Sequence, residues 1–261
     1  MDTLVNVTKA EYMKLKELKA LHVWMIITAV AAYVFGMLAY KFISWQNKTL
    51  VDSGLGDLTG GTSLDLSTST YGLLGLLLII IGIAQITAHE YKSNAHIVTQ
   101  TYVPQREYEY AAKFIVAYTY YAAWTVFILC VGFAAAFIHG PKEMRQEINL
   151  FTDGGILILK YLIILLFYVL IVQGLAYMFK SSSLASTVVI AYLFVVENAI
   201  GMIPEYGSKI RPYMPKSSMD NLISWGNSQP DVHIAISAAI IIVLTLVLYI
   251  GGTMYNKKSD A

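Results

Sequence analysis

The chain has 261 residues, of which 57% are hydrophobic and only 13% charged, and its net charge is +1 at pH 7. Soluble domains carry about 25% charged residues, so this composition excludes an ordinary soluble enzyme, and the near-neutral balance implies no nucleic-acid partner. The single cysteine, Cys130, falls inside an apolar run and can form no intramolecular disulfide, so it is silent on redox compartment.

The first segment, residues 1–21, is amphipathic. On a helical wheel Leu4, Val7, Leu15, Leu18 and Leu21 share one face, with Lys9 and Lys16 opposite. Glu11 and Lys14 interrupt the apolar face at i,i+3 spacing, where they can pair. The segment reads as a helix lying in the membrane interface, apolar side down, and it runs directly into Trp24, an interface-favouring residue. A short solvated helix leading into the first span is the alternative.

Apolar runs of about 20 residues follow, which is the length an α-helix needs to cross a hydrocarbon core of about 30 Å. They occupy residues 22–44, 71–89, 114–139, 156–179, 184–202 and 232–255, and only the fifth carries a carboxylate deep within it, Glu197. The expected fold is therefore all-α, a polytopic integral membrane protein with six transmembrane helices. The first span is too long for a signal-peptide core and no small-x-small cleavage site follows it, so it is read as retained. Six spans put both termini on one side. Lys9, Lys14, Lys16 and Lys19 precede the first span, and that side also holds a small excess of Lys and Arg overall, which makes it cytoplasmic. The loop DSGLGDLTGGTSLDLSTST then lies outside.

The densest polar stretch, ITAHEYKSNAHIVTQTYVPQREYEYAAK, joins the second and third spans on the cytoplasmic side. It opens with His89-Glu90, but a zinc-protease signature needs a second histidine one turn on, and Ser93 stands there. His96 is two turns away, about 10.5 Å along a helix, too far for both rings to hold one zinc at about 2.0–2.1 Å. No metal site is expected. The stretch reads as a short helix over residues 90–98, a break marked by Pro104, and a charged and aromatic lead into the third span. Such a helix, parallel to the membrane, suits the gripping of a soluble partner.

At this point a resemblance carries weight. AEYMKLKELKALHVWMI is similar to an N-terminal connecting helix, and ITAHEYKSNA with VPQREYEYAAK to the cytoplasmic segment that closes one span and opens the next. FKSSSLASTVVIAYLFVVENAIGMIPEY resembles a serine-rich turn and a fifth span with a late glutamate, and YMPKSSMDNL a proline-containing outer segment. Taken in order, these pieces resemble the membrane subunits, or permeases, of type-2 ATP-binding-cassette exporters. Two departures are Asn198, where the family often has proline, and Asn94-Ala95, where it often has Gly-Thr.

The resemblance implies a re-entrant outer helical hairpin between spans five and six. It implies a separate ABC ATPase subunit that carries ATP and magnesium, with no cofactor in this chain, and no G-x-x-x-x-G-K-[ST] is present to cradle phosphates. The chain itself is thus not expected to be an enzyme. Residues 90–113 become the coupling loop, with Glu90, Tyr91, Lys92 and Arg106 facing the ATPase. Further partners are a second copy or a related permease, and membrane lipids, in a bacterial cell membrane. The implied activity is export of a hydrophobic or amphipathic compound, a peptide or antibiotic by preference. A non-transporting immunity or sensor protein that binds an antimicrobial peptide is the alternative.

Glu197 and Asn198 stay open between two roles. A carboxylate at mid-span costs about 2.5–3.5 kcal/mol on insertion scales, so it faces protein or water. Either the pair lines or gates the pathway, or it satisfies backbone groups where the fifth span breaks before Gly201 and Pro204. Tyr118, Tyr120 and Tyr121, near the cytoplasmic end of the third span, divide in the same way between an aromatic belt and the pathway.

Overall fold

The computed structural model describes residues 2–52, 75–92, 106–139, 153–204, 206–223 and 234–258, and among these there is no strand. The helices are α1 (Asp2–Glu17), α2 (Lys19–Asp52), α3 (Leu76–Lys92), α4 (Arg106–His139), α5 (Asp153–Phe179) and α6 (Ser182–Ala191). A π-helical turn, Tyr192–Val196, leads into α7 (Glu197–Gly201). Then come α8 (Gly207–Ile210), a 3-10 turn (Arg211–Tyr213), α9 (Pro215–Ile223) and α10 (Ile234–Lys258).

Among the described residues, five stretches are long and apolar enough to cross a membrane: Lys19–Leu38, Glu107–His139, Gly154–Phe179, Ser182–Gly201 and Ile234–Gly251. They correspond to the first, third, fourth, fifth and sixth of the expected spans. The second is represented by α3, 17 residues long and apolar but below that length. The start of its apolar run, with the residues before it, lies outside the described residues. Helices that are apolar all round must be covered by protein or lipid, and here they divide. Half of the apolar window of α5 is buried within the protein, against 11% for α10.

Local signals set the helix ends. Leu18 separates α1 from α2, and its N–H donates to the Leu15 carbonyl at 3.1 Å. After α5, Lys180 takes a left-handed φ of 50°, a common way to end a helix. Ser181 then caps α6, its Oγ accepting the Leu184 N–H at 3.4 Å. The serine-rich turn is therefore only two residues long outside the helices.

Contacts divide the chain into two compact units. The first comprises Met1–Leu18, Ile79–Tyr121 and Ile163–Ala261. Its core includes Ile79, Ile80 and Ile83 of α3, Val116 and Tyr121 of α4, and Val172 and Tyr177 of α5, all buried. Tyr121 is fully enclosed by protein, so it does not belong to a lipid-facing belt. The second unit comprises Lys19–Leu78 and Ala122–Leu162. There α2 and α4 approach closely at Gly36, where an added Cβ would sit 3.3 Å from the Ala135 Cβ. Tyr33 Oη and His139 Nε2 join the same two helices at 3.0 Å.

Of the apolar face expected for the N-terminal segment, Leu4, Val7 and Leu15 lie on α1, whereas Leu18 and Leu21 lie beyond its end. Val7, Glu11 and Leu15 are buried in the first unit, whereas Val5, Lys9, Tyr12, Met13 and Lys16 are exposed. The face read as lying on the bilayer is covered by the protein's own helices. Its two charges explain why: Glu11 has cationic partners there that lipid tails cannot supply.

Candidate functional site

Three helix ends meet in a buried group of charges within the first unit. α1 contributes Glu11 and Lys14, the last turn of α3 contributes Glu90, and the start of α4 contributes Glu109 and Lys113. Lys113 is the centre, its side chain 1% exposed, with Nζ at 3.1 Å from Glu11, 3.2 Å from Glu90 and 4.0 Å from Glu109. Lys14 reaches the same two acids from the rim, at 2.6 Å from Glu11 and 2.5 Å from Glu90. Among the described residues, three carboxylates thus face two ammonium groups. Such charges are stable out of water only when each keeps its partners, so α1 cannot leave α3 and α4 without exposing unpaired charge. Tyr12 Oη and Thr119 Oγ1 add a second tie between α1 and α4.

Burial alone would lower the Lys14 ammonium, but the charges of Glu11 and then Glu90, with their hydrogen bonds, more than reverse this and hold it above the ordinary lysine value. A raised lysine contributes its stability below the ordinary value and loses it only as alkaline pH passes through the raised one. The pairing therefore persists across the physiological range. Lys14 is 40% exposed, so solvent screens much of its contribution, whereas the Lys113 ion pairs are closed off from solvent.

Beside this group lies a layer of rings. Tyr110 packs against Tyr177 at 5.2 Å and Tyr249 at 5.8 Å between centroids, and Tyr91 meets Tyr177 edge-on at 6.3 Å. Gln173, fully buried on α5, donates from Nε2 to the Tyr110 carbonyl at 2.8 Å. These contacts bind the ends of α3 and α4 to α5 and α10 of the same unit.

The residues expected to face an ATPase are distributed unevenly. Glu90, Tyr91 and Lys92 form the end of α3 rather than the start of a separate helix, because α3 runs on past the apolar window without a break. The Glu90 carboxylate is engaged within the chain, and the Tyr91 ring lies on Tyr177. Arg106 opens α4. The side chains of Lys92 and Arg106, and residues 93–105 with most of the expected loop helix, lie outside the described residues. Sequence reasoning gave Lys113 no role of its own beyond its place at the end of residues 90–113. The signals were the Glu109–Lys113 spacing of i,i+4 and the Glu11–Lys14 spacing of i,i+3, each of which shows a pair but not their meeting.

Glu197 and Asn198 belong to a different set of contacts in the same unit. Glu197 is 1% exposed. Its Oε1 accepts the Lys216 N–H at 2.8 Å and its Oε2 the Ser217 N–H at 3.3 Å. Those are orphan donors of the first turn of α9, which starts at Pro215 after Met214, a residue with no capping oxygen in its side chain. Glu197 supplies the missing cap from the fifth span and places a negative charge at a helix N-terminus. Asn198 donates from Nδ2 to the Phe194 carbonyl at 2.7 Å, within the π-helical turn.

The chain between these partners turns back tightly at Gly207. A Cβ on Gly207 would stand 2.4 Å from the Ile200 carbonyl oxygen and 2.8 Å from that of Gly201. Both obstacles are backbone, so only glycine fits. Gly207→Ala is expected to cost about 1–3 kcal/mol, the usual range for overpacking, and to lower the melting temperature of the purified chain. An unchanged melting curve would show that the turn does not close in this way.

A family model described as ABC-2 family transporter protein matches residues 7–198. The chain belongs to the ABC-2 transporter family. A comparison with curated proteins finds no match. The ABC-2 match runs from α1 through Asn198, so it takes in the charged group and Glu197, and stops before α9, the helix that Glu197 caps. ABC-2 proteins of this kind are the transmembrane component of the transporter and not its ATPase. Membership therefore makes this chain a membrane-located permease subunit that implies an ATPase partner and a typically dimeric arrangement.

Proposed function

We propose that this ABC-2 permease exports a hydrophobic or amphipathic compound, a peptide or antibiotic by preference, out of a bacterial cell. In this reading it has six spans, both termini are cytoplasmic, and residues 90–113 are the coupling loop. ATP and magnesium are held by a separate ATPase, and a second copy or a related permease completes the pathway. The outer helices after Gly201 form a re-entrant hairpin. α1 keeps to the membrane interface by its exposed face, where Val5, Tyr12 and Met13 alternate with Lys9 and Lys16.

One observation carries the reading: Lys113 joins α1 to both helices that flank the loop. A push delivered to residues 93–105 by closing ATPase subunits would reach α1 and the starts of the spans through buried ion pairs, which resist separation because unpaired charge is costly. The tyrosine layer and Gln173 would pass the same displacement to α5 and α10.

The test uses the loop ends rather than Glu90, whose reversal would disrupt the buried group and so report on folding. Lys92→Glu and Arg106→Glu are expected to reduce co-purification of the ATPase, or substrate-stimulated ATP hydrolysis, with the permease itself still monodisperse. Unchanged complex yield and hydrolysis in both variants would remove the loop from docking. A permease that never retains an ATPase would instead favour immunity or sensing.

Sidedness has its own test, in a Cys130→Ala background. A cysteine replacing Ser63 is expected to react with an impermeant thiol reagent in intact cells, and one replacing Ser93 only after permeabilisation. The reverse pattern would invert the orientation and with it the coupling loop.

A further inference from the structure

Buried hydroxyl and amide atoms without a partner are rare, because each loses its hydration and gains nothing in return. Five such atoms stand among the described residues, and three belong to the ring layer beside the charged group: Tyr110 Oη, Tyr177 Oη and Gln173 Oε1. These three residues are at most 2% exposed. Gln173 and Tyr177 lie one turn apart on α5, at i,i+4, and so share a face. Tyr110 meets them from α4, its ring 5.2 Å from that of Tyr177 and its carbonyl 2.8 Å from Gln173 Nε2. That bond fixes the Gln173 amide and leaves its oxygen with nothing to accept. The layer thus holds two unused O–H donors and one unused acceptor.

The place of the layer along the spans matters as much as its chemistry. Tyr91 stands at the end of α3, Tyr110 at the start of α4, Tyr177 at the end of α5 and Tyr249 in the C-terminal half of α10. In the proposed orientation these are the cytoplasmic ends, where an exported compound first meets the permease. The inner rings are sealed, but Tyr249, 5.8 Å from Tyr110, is 40% exposed. It is carried by the span with the least cover, only 11% of its apolar window being buried.

We propose that Tyr110, Tyr177 and Gln173 form a loading site, closed in this state, for an extended peptide segment of the exported compound, which enters past Tyr249. An extended peptide offers a carbonyl and an N–H at every residue, about 3.3 Å apart. Its successive groups can therefore accept from the two hydroxyls and donate to Gln173 Oε1. A lipid tail would use none of these atoms, and a compound with carbonyls alone would leave the amide oxygen unmet. The rings supply apolar walls for the peptide's side chains. Occupancy would also reach the charged group, since Tyr110 follows Glu109 in the chain and the Tyr177 hydroxyl is within electrostatic reach of Glu109 and Glu11. The inference rests on the export reading above and narrows its substrate to compounds with a peptide backbone.

The full chain is reconstituted in nanodiscs with an N-acetylated leucine tripeptide amide whose middle residue is photoleucine, then irradiated, digested and mapped by mass spectrometry. Labelling at Gln173 and Tyr177 is expected to saturate with probe concentration, whereas Ile242 and Val243, exposed on α10, should label in proportion to it. Tyr110→Phe combined with Tyr177→Phe should weaken the saturable labelling about tenfold, or ~1.4 kcal/mol. The same variant should melt no lower than the wild type, because it removes only hydroxyls that lack a partner. An analogue with esters in place of its amides should compete about tenfold less well. A double variant that melts below the wild type shows the hydroxyls already engaged, by ordered water for instance, and overturns the site. So does unchanged affinity in that variant, or wild-type labelling confined to the exposed face of α10. Equal competition by amide and ester overturns the peptide assignment. The export reading is tested separately by Lys92→Glu and Arg106→Glu, which leave these three residues untouched.

Discussion

Lys113→Met is expected to deplete the protein from the membrane and to lower the melting temperature of what remains. Methionine keeps the apolar stem and removes only the ammonium, so the effect isolates the charge. Glu11, Glu90 and Glu109 would then face one another without the buried cation at their centre. Removing one partner of a buried charge pair costs about 3–5 kcal/mol, a large share of the roughly 5–15 kcal/mol that holds a typical domain folded. Membrane yield and thermal unfolding of the detergent-solubilised chain would measure it. Glu11→Gln combined with Lys113→Met should recover part of the loss, since fewer carboxylates are left unpaired. Wild-type yield and melting in the single variant would mean that the charges are solvated, and the proposed path from loop to α1 would fall with them.

Glu197→Ala is expected to be the second large perturbation, with Glu197→Gln intermediate. Alanine strands the Lys216 and Ser217 N–H groups at the start of α9, each costing about 1–3 kcal/mol when buried without a partner, and it also removes the charge that faces the helix dipole. Glutamine retains one acceptor oxygen and should satisfy one donor. The order of melting temperatures should therefore be wild type, Gln, then Ala. A pathway role predicts a different pattern, in which Glu197→Gln melts like the wild type but loses substrate-stimulated hydrolysis. If the alanine variant melts like the wild type, the carboxylate is not the cap.

Much of the architecture is legible in the chain itself. Among the described residues, five apolar runs are helices of membrane length, because a helix satisfies its own backbone and apolar length alone then fits it to span. The break after α5 is equally local, with serines placed to cap the next helix. The Glu11–Lys14 pair follows from i,i+3 spacing on one helix. What the wheel of α1 could not reveal is what covers its apolar face. Amphipathicity demands a cover without saying whether lipid or protein provides it, and here α3 and α4 do.

The membrane class, the helical fold and the order of the spans were thus determined by the sequence alone, because hydropathy and helical period are properties of neighbouring residues. The tertiary structure decided which charges meet. Lys113 and Glu11 lie 102 positions apart, and their contact depends on how α1 crosses α4, which no spacing rule encodes. Glu197 is the same case in miniature. Sequence placed a carboxylate where the fifth span breaks, but only the return of the chain to Lys216 and Ser217 turned it into the cap of another helix, since a helix N-terminus takes its acceptor from whatever the fold brings near.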